Sequence, residues 1–470
     1  MSGLLWAPRA WLDGDWADQV LLRVGADGRW AEVAAGVAEP PAGASVLAGP
    51  ILPGLVDAHS HAFQRAFAGL AERRAAGRGD DFWSWRARMY AVAGRISPEQ
   101  LRAVAAQLYV ELLRGGYTQV CEFHYLQHDR DGRPYAGDPL ALSWALADAA
   151  ADAGLGLTLL PALYERAGFA RPALADEQRR FALDADGVWQ AAERIGAARR
   201  PNVSAALAVH SLRAARAESI ARLHALAGGF GGPIHVHVAE QTREVDDCLA
   251  ATGARPVQWL ARERLLDTRW QLVHATHVTR EEIDAVASAR AGVVLCPSTE
   301  ANLGDGVTDL PGWLNARDSA VALSIGSDSQ ATRGWREELR WLEYGQRLAR
   351  RERNVAAGVE HGRHVASSAA RLFERVRAGG SAAAFGPGTP WGLVRGARAD
   401  LLVVDTADAG LLGLPREHWL DALVFSSPGR PWRDVMVAGR FVVRGHRHAQ
   451  AEAIARRFEA AMHELLEDAA

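Results

Sequence analysis

Lysine is absent from all 470 residues, so every side-chain positive charge outside histidine is an arginine, and any chemistry that needs a lysine amine is excluded. Cysteine is scarce. Cys121, Cys248 and Cys296 are scattered without a C-x-x-C spacing, which excludes a disulfide framework or a thiolate metal site and predicts three buried, reduced thiols. Long hydrophobic runs are missing too: no stretch approaches the roughly 18 apolar residues of a membrane span. Pro8 and Arg9 interrupt the apolar start, so a secretory signal is not expected and the reading is a cytoplasmic protein. A net charge of −3 leaves no sequence-wide basic field, so neither nucleic acid nor an anionic membrane is an expected partner.

What remains is an ordinary globular composition, 49% hydrophobic and 23% charged, in a chain long enough for a large domain and a smaller one. Short apolar, β-branched runs ending in polar residues recur at 51–56, 118–123, 156–163, 205–209, 233–238, 271–273, 292–295 and 320–325, with helix-like stretches between most of them. Near-continuous apolar runs suit strands buried on both faces of a parallel sheet. The fold class expected is α/β, a (β/α)8 TIM-like barrel over 51–389, with a small β-sandwich built from both chain ends, 1–50 and 390–448. Residues 449–470, rich in Ala, Glu, Arg and Leu, suit a terminal amphipathic helix.

Polar residues collect just after these runs: His59 and His61, Tyr125, His210 and Arg213, His237 and Glu240, His274, and Asp328. In such barrels, catalytic groups lie at the C-terminal strand ends, so the placement argues for one shared site. His59-x-His61 can aim two imidazoles at one point, although two histidines in a polar loop would read the same in isolation. His237 adds a third imidazole, with Glu240 three residues later, and Asp328 follows the eighth run, where alone it would also suit a helix N-cap. Three histidines and an aspartate suit zinc, though the same shell can accept iron or manganese. His235 is expected to point away from the metal, and His277 to be a loop or helix-start residue.

The H-x-H after strand one, single histidines after strands five and six and an aspartate after strand eight resemble the amidohydrolase superfamily, over nearly the whole chain. The resemblance implies His59, His61, His237 and Asp328 as ligands, with Glu240, His274 and Asp328 as the catalytic groups. Glu240 would shuttle the proton, while His274 and Asp328 would accept it from water and orient the nucleophile. Two-metal members generally bridge their ions with a carboxylated lysine, which this chain cannot supply, so one Zn2+ per chain is expected. Zinc lowers the pKa of a bound water to roughly 7, far below that of bulk water.

H-x-x-E after strand five resembles the deaminase branch. The strings HSHAFQRAFAGLAE, FWSWR, EFHYLQH, HSLRA, HVHVAEQ, LVHATH and CPSTEANLGDG are similar to the formimidoylglutamate deiminases of histidine degradation. That resemblance implies a small anionic substrate, N-formimino-L-glutamate, hydrolysed to N-formyl-L-glutamate and ammonia. Two carboxylates call for cationic clamps: Arg213 and Arg86, the latter beside Phe82, Trp83 and Trp85, with Tyr125, Gln64 and His210 helping to fix the substrate. Without the resemblance, either arginine would read as a solvated surface residue and FWSWR as a packing segment. Cys296, Ser298, Thr299 and Glu300 suit substrate contact or structural support equally, and Gly304-Asp305-Gly306 reads as a turn. The alternative function is a deaminase of a nucleobase, nucleoside or triazine; a catalytically silent barrel is a more distant one. Related barrels are commonly homodimers, and a homodimer is the expected assembly.

Overall fold

Eight parallel strands run in sequence order around a barrel: Leu55–Ser60, Tyr117–His124, Gly156–Leu163, Leu207–Ser211, Ile234–Val238, Trp270–His274, Gly292–Leu295 and Ala322–Ile325. The computed structural model describes residues 3–74, 79–316, 321–426 and 428–467. Ala320, the expected start of strand eight, lies outside them. Register is continuous from Ile234 to Val238 against Trp270 to His274, whereas the first and second strands, and the fourth and fifth, carry irregularities in theirs. The first and eighth strands are joined by backbone bonds just beyond their ends: Asp328 N donates to the His59 carbonyl at 2.9 Å and His61 N to the Asp328 carbonyl at 3.2 Å. Gly326 permits this seam, because a Cβ there would stand 2.6 Å from the His59 carbonyl oxygen.

Residues 51–56, expected as one strand, divide. Ile51–Leu52 belongs to a different sheet and the barrel strand starts at Leu55, because Pro53 has no amide proton to give a ladder and Gly54 lies against Thr118. A Cβ at Gly54 would meet the Thr118 side chain at 2.3 Å. The fourth strand is also shifted, to Leu207–Ser211, and Val203–Ala205 forms a separate short strand on the third.

Helices cover the barrel, and their ends follow local rules. Pro98–Gly115 begins at Ser97, whose hydroxyl accepts from Gln100 N at 3.2 Å while Gln100 Oε1 accepts from Ser97 N at 3.0 Å, and it stops at Gly116 in the left-handed region. Such a cap contributes about 1 kcal/mol. The helix buries Leu101, Val104, Leu108, Leu112 and Leu113 in the main core.

The two chain ends meet in one nine-stranded mixed sheet, where the sequence suggested a sandwich. Ile51 is its joint, pairing in parallel with Ala10 and antiparallel with Val403. The sheet has its own core, including Leu5, Val20, Leu22, Trp30, Leu401, Val403 and Met436. The terminal helix runs Ala451–Glu467 and is tied to the barrel by Gln100 Nε2 donating to Glu464 Oε2 at 2.9 Å; 468–470 lie outside the described residues. Cys121, Cys248 and Cys296 are buried and free. Among the described residues, no helix is long and apolar enough to cross a membrane.

Candidate active site

Strands one and five deliver three imidazoles to a single point. His59, His61 and His237 are buried and their ring nitrogens gather within 4.8 Å of one another. Second partners fix how two of these rings are protonated. His61 Nδ1 lies 2.9 Å from the Phe123 carbonyl and His237 Nδ1 lies 2.8 Å from the His210 carbonyl. A carbonyl only accepts, so each Nδ1 carries the proton and each Nε2 presents a lone pair inward. His237 Nε2 approaches His59 Nε2 to 3.0 Å, and Asp328 Oδ1 stands 3.4 Å from Nε2 of both His59 and His61. Burial holds all three imidazoles below their ordinary pKa, so they are neutral donors. Converging lone pairs and a carboxylate oxygen in a buried space repel one another unless a cation sits among them, and this donor set fits a borderline divalent metal such as zinc.

Glu240 and His274 stand beside Asp328. His274 Nε2 is 3.7 Å from Glu240 Oε1 and 3.8 Å from Asp328 Oδ2, while its Nδ1 faces Glu300 Oε1 at 3.3 Å. Burial raises Glu240 to about 7, with Asp328 and Glu244 adding to the rise. For His274, burial opposes the charge, but Glu240, Glu300 and Asp328 outweigh it and push the imidazole up to about 10. A divalent cation at the histidine group would act the other way on both.

Backbone strain holds these groups where regular strands would not. Ala239, His274, Ala275 and Asp328 have φ of +53°, +69°, +45° and +46°, left-handed values that are costly away from glycine. Buried carboxylates fasten the loops beneath: Asp57 accepts from Ser327 N and Oγ at 2.9 and 2.6 Å, and Glu122 accepts from Ala62 N and Ser60 Oγ at 2.6 and 3.1 Å. Burial raises Asp57 to about 7 and Glu122 to about 8.

A cavity opens on this centre, bordered by His61, His237, Glu240, His274 and Asp328 on one side. All five expected substrate residues, Gln64, Arg86, Tyr125, His210 and Arg213, line it as well. Gln64 Nε2 donates to the Tyr125 hydroxyl at 3.2 Å, and Gln64 Oε1 is buried without a hydrogen-bond partner among the described residues. The same holds for Nη1 of Arg86 and Nη1 of Arg213. Trp83 lies between the arginines, its ring centroid 4.5 Å from the Arg86 guanidinium carbon and 5.7 Å from that of Arg213.

His235 does not join the metal group; its Nε2 meets the Ala383 carbonyl at 2.8 Å. Ser298 and Thr299 act as support: the Ser298 hydroxyl donates to Glu338 at 2.5 Å and the Thr299 hydroxyl meets Ser329 at 3.0 Å. Sequence reasoning missed Tyr90, Tyr164, Phe181 and Glu244, which also border the cavity. Tyr90 and Tyr164 are linked through Gln178, which donates to their hydroxyls at 3.1 and 2.8 Å. Tyr164 directly follows the third barrel strand, so the strand-end rule that found Tyr125 would have found it. Glu244 sits inside the first turn of helix Thr242–Thr252, where an acid reads as a helix-terminus residue.

A model of the amidohydrolase family matches residues 51–442. A formimidoylglutamate deiminase of Pseudomonas aeruginosa is 45% identical over 98% of this chain and 99% of its own length. Among solved structures, an amidohydrolase from Brucella melitensis superposes with a TM-score of 0.90 at 39% identity, covering 98% of this chain and 99% of its own. An adenosine deaminase from Xanthomonas campestris, with bound zinc, reaches a TM-score of 0.78 over 99% of this chain and 98% of its own; at 21% identity it speaks to the fold alone.

Proposed function

The chain belongs to the amidohydrolase family, and within it to the formimidoylglutamate deiminases, and from that premise we propose that it hydrolyses N-formimino-L-glutamate to N-formyl-L-glutamate and ammonia, a step of histidine degradation, in the cytoplasm. The observation that carries the substrate is the pair of guanidinium groups on the cavity wall, Arg86 and Arg213, each with a buried nitrogen that has no partner among the described residues. Leaving a charged donor unpaired in a buried wall is costly unless a ligand supplies the acceptor. Two carboxylates on one small molecule meet both arginines, and the centre across the cavity then faces the formimino carbon.

His59, His61, His237 and Asp328 would hold a single Zn2+, which supplies Lewis acidity and a water more acidic than bulk. The remaining work belongs to side chains. Arg213 and Arg86 bind the carboxylates, and Gln64, Tyr125 and His210 orient the amidine. With the cation's charge opposing the carboxylates that hold its imidazole up, His274 is free to receive, together with Asp328, the proton of the attacking water. Glu240 passes that proton to the formimino nitrogen, the proton of the hydroxyl now on the carbon follows it, and the C–N bond breaks to release ammonia and leave the formyl carbonyl. The protein in this reading is a homodimer that works without nucleic acid or membrane partners.

Ammonia release from N-formimino-L-glutamate, with N-formimino-L-aspartate and a panel of aminated purines, nucleosides and triazines alongside, tests the reading. Turnover confined to the formimino acids is the expected result. Turnover only on a flat heterocycle would overturn the substrate assignment and favour stacking on the cavity's aromatic rings.

A further inference from the structure

Glu240 stands in a turn whose two flanking residues are both tied to a loop from another strand. Strand five ends at Val238, Ala239 takes its left-handed φ of +53°, and helix Thr242–Thr252 begins at Gln241. The Gln241 side chain makes no cap bond to its own helix; its Nε2 donates to Asp305 Oδ1 in the loop after strand seven. On the other flank, the Ala239 carbonyl accepts from His277 N at 3.0 Å, and His277 Nε2 donates to the Asp305 carbonyl at 2.8 Å. Asp305 N in turn donates to the Glu300 carbonyl at 2.9 Å, and Glu300 is the residue whose carboxylate faces His274.

We propose that Asp305 is a positioning residue for Glu240, holding the turn on both sides through Gln241 and His277 so that the Glu240 carboxylate stays beside His274. The inference rests on Glu240 being the proton carrier of the reaction described above. A turn needs none of this side-chain apparatus, because backbone bonds alone can close it. Asp305 is buried, and its second oxygen has no hydrogen-bond partner among the described residues, an expense that a purely structural turn does not carry. Its contacts also bridge the two groups whose spacing matters: Glu240 is held through Gln241 and His277, and His274 through Glu300. General acid–base transfer is steep in geometry, so a shift of about 1 Å is enough to cost roughly a hundredfold in rate.

The test compares Asp305→Ala, Asp305→Asn and Gln241→Leu in the zinc-loaded full-length enzyme, by steady-state kinetics on N-formimino-L-glutamate, metal analysis and crystal structures. Asparagine keeps an acceptor for Gln241, whereas alanine and the Gln241 variant remove that tie and leave the backbone bonds of residue 305 to His277 and Glu300 in place. Expected are a fall in kcat of about ten- to a hundredfold for Asp305→Ala and Gln241→Leu, with KM and metal content near wild type. Asp305→Asn should recover most of kcat. The Asp305→Ala/Gln241→Leu double variant should be no worse than either single one. In the variant crystals, Glu240 Oε1 should leave its place 3.7 Å from His274 Nε2. Unchanged kcat with Glu240 unmoved would overturn the proposal, as would a rise in KM alone, loss of metal, or an asparagine variant as impaired as alanine. If Asp305→Ala does not fold, Gln241→Leu decides. Should the wild-type enzyme turn over no formimino acid, the deiminase reading falls, and the position of Glu240 in the variant crystals still decides whether Asp305 holds it.

Discussion

Replacing Arg213 with methionine isolates one of the two carboxylate clamps proposed above. The side chain is 9% exposed, it rests on Trp83, and its Nη1 has no hydrogen-bond partner among the described residues. Burial opposes its charge, but Glu244, Tyr164, Tyr90 and Glu240 outweigh that and keep the guanidinium above its ordinary pKa, so it meets substrate as a full cation. Truncating one partner of a desolvated, hydrogen-bonded charge pair costs about 2–5 kcal/mol. At about 1.4 kcal/mol per factor of ten, kcat/KM should fall roughly 30- to 5,000-fold. The free enzyme should feel less, because methionine fills similar space and removes a buried charge that Glu244 and Glu240 favour only from beyond direct ion-pair contact. Its unfolding midpoint should therefore stay within a few degrees of wild type. Coupled ammonia release and differential scanning fluorimetry measure the two quantities. A kcat/KM within twofold of wild type would refute the clamp, and a collapse of the midpoint would recast Arg213 as structural.

Glu240→Gln should keep its metal and lose about 10²–10⁴ in kcat, the range of a general acid–base group; metal loss on elemental analysis would make Glu240 a ligand instead. Chelation should abolish turnover and zinc should restore it at one equivalent per chain, whereas a requirement for a second equivalent would refute a mononuclear centre. Glu360 supplies a pH test far from the chemistry: burial opposes its charge, yet hydrogen bonds from Arg371 Nε and Arg375 Nη1, both at 2.9 Å, hold it below its ordinary value. A depressed carboxylate stabilises the fold above its unfolded pKa and loses that contribution as pH falls through the folded one. Thermal unfolding from pH 7 to pH 3 should show Glu360→Ala destabilised by about 1–2 kcal/mol at neutral pH, with the gap to wild type closing in acid. A gap constant with pH would mean the loss is packing.

The metal group was legible because its signals are local. His59-x-His61 and Asp328 sit at the ends of apolar runs, and strand periodicity with the rule for barrel ends puts them together without three-dimensional knowledge. The run at 51–56 misled because apolar content does not say which sheet a strand joins; Pro53 and Gly54 were the available sign of a break. Residues whose role lies in their partners stayed hidden. Tyr90 reaches the cavity from helix Phe82–Ala93, and Asp305 looks like any turn aspartate until Gln241 and His277 arrive from other strands. Likewise no pattern in the chain tells that two carbonyls, of Phe123 and His210, choose the tautomers of His61 and His237.

The joint between the first and eighth strands has a consequence for how the enzyme is assembled. The backbone bonds there run between His59, His61 and Asp328, the same residues whose side chains surround the metal position, and Asp57 grips Ser327 across 270 residues of chain. An ion bound there would be a clasp on the barrel: it would weld the beginning of the barrel to its end, with strand five holding it in between. Amide exchange at this joint should therefore slow on metal loading more than at the opposite wall, and the metal-free chain should be the more easily cut by a protease.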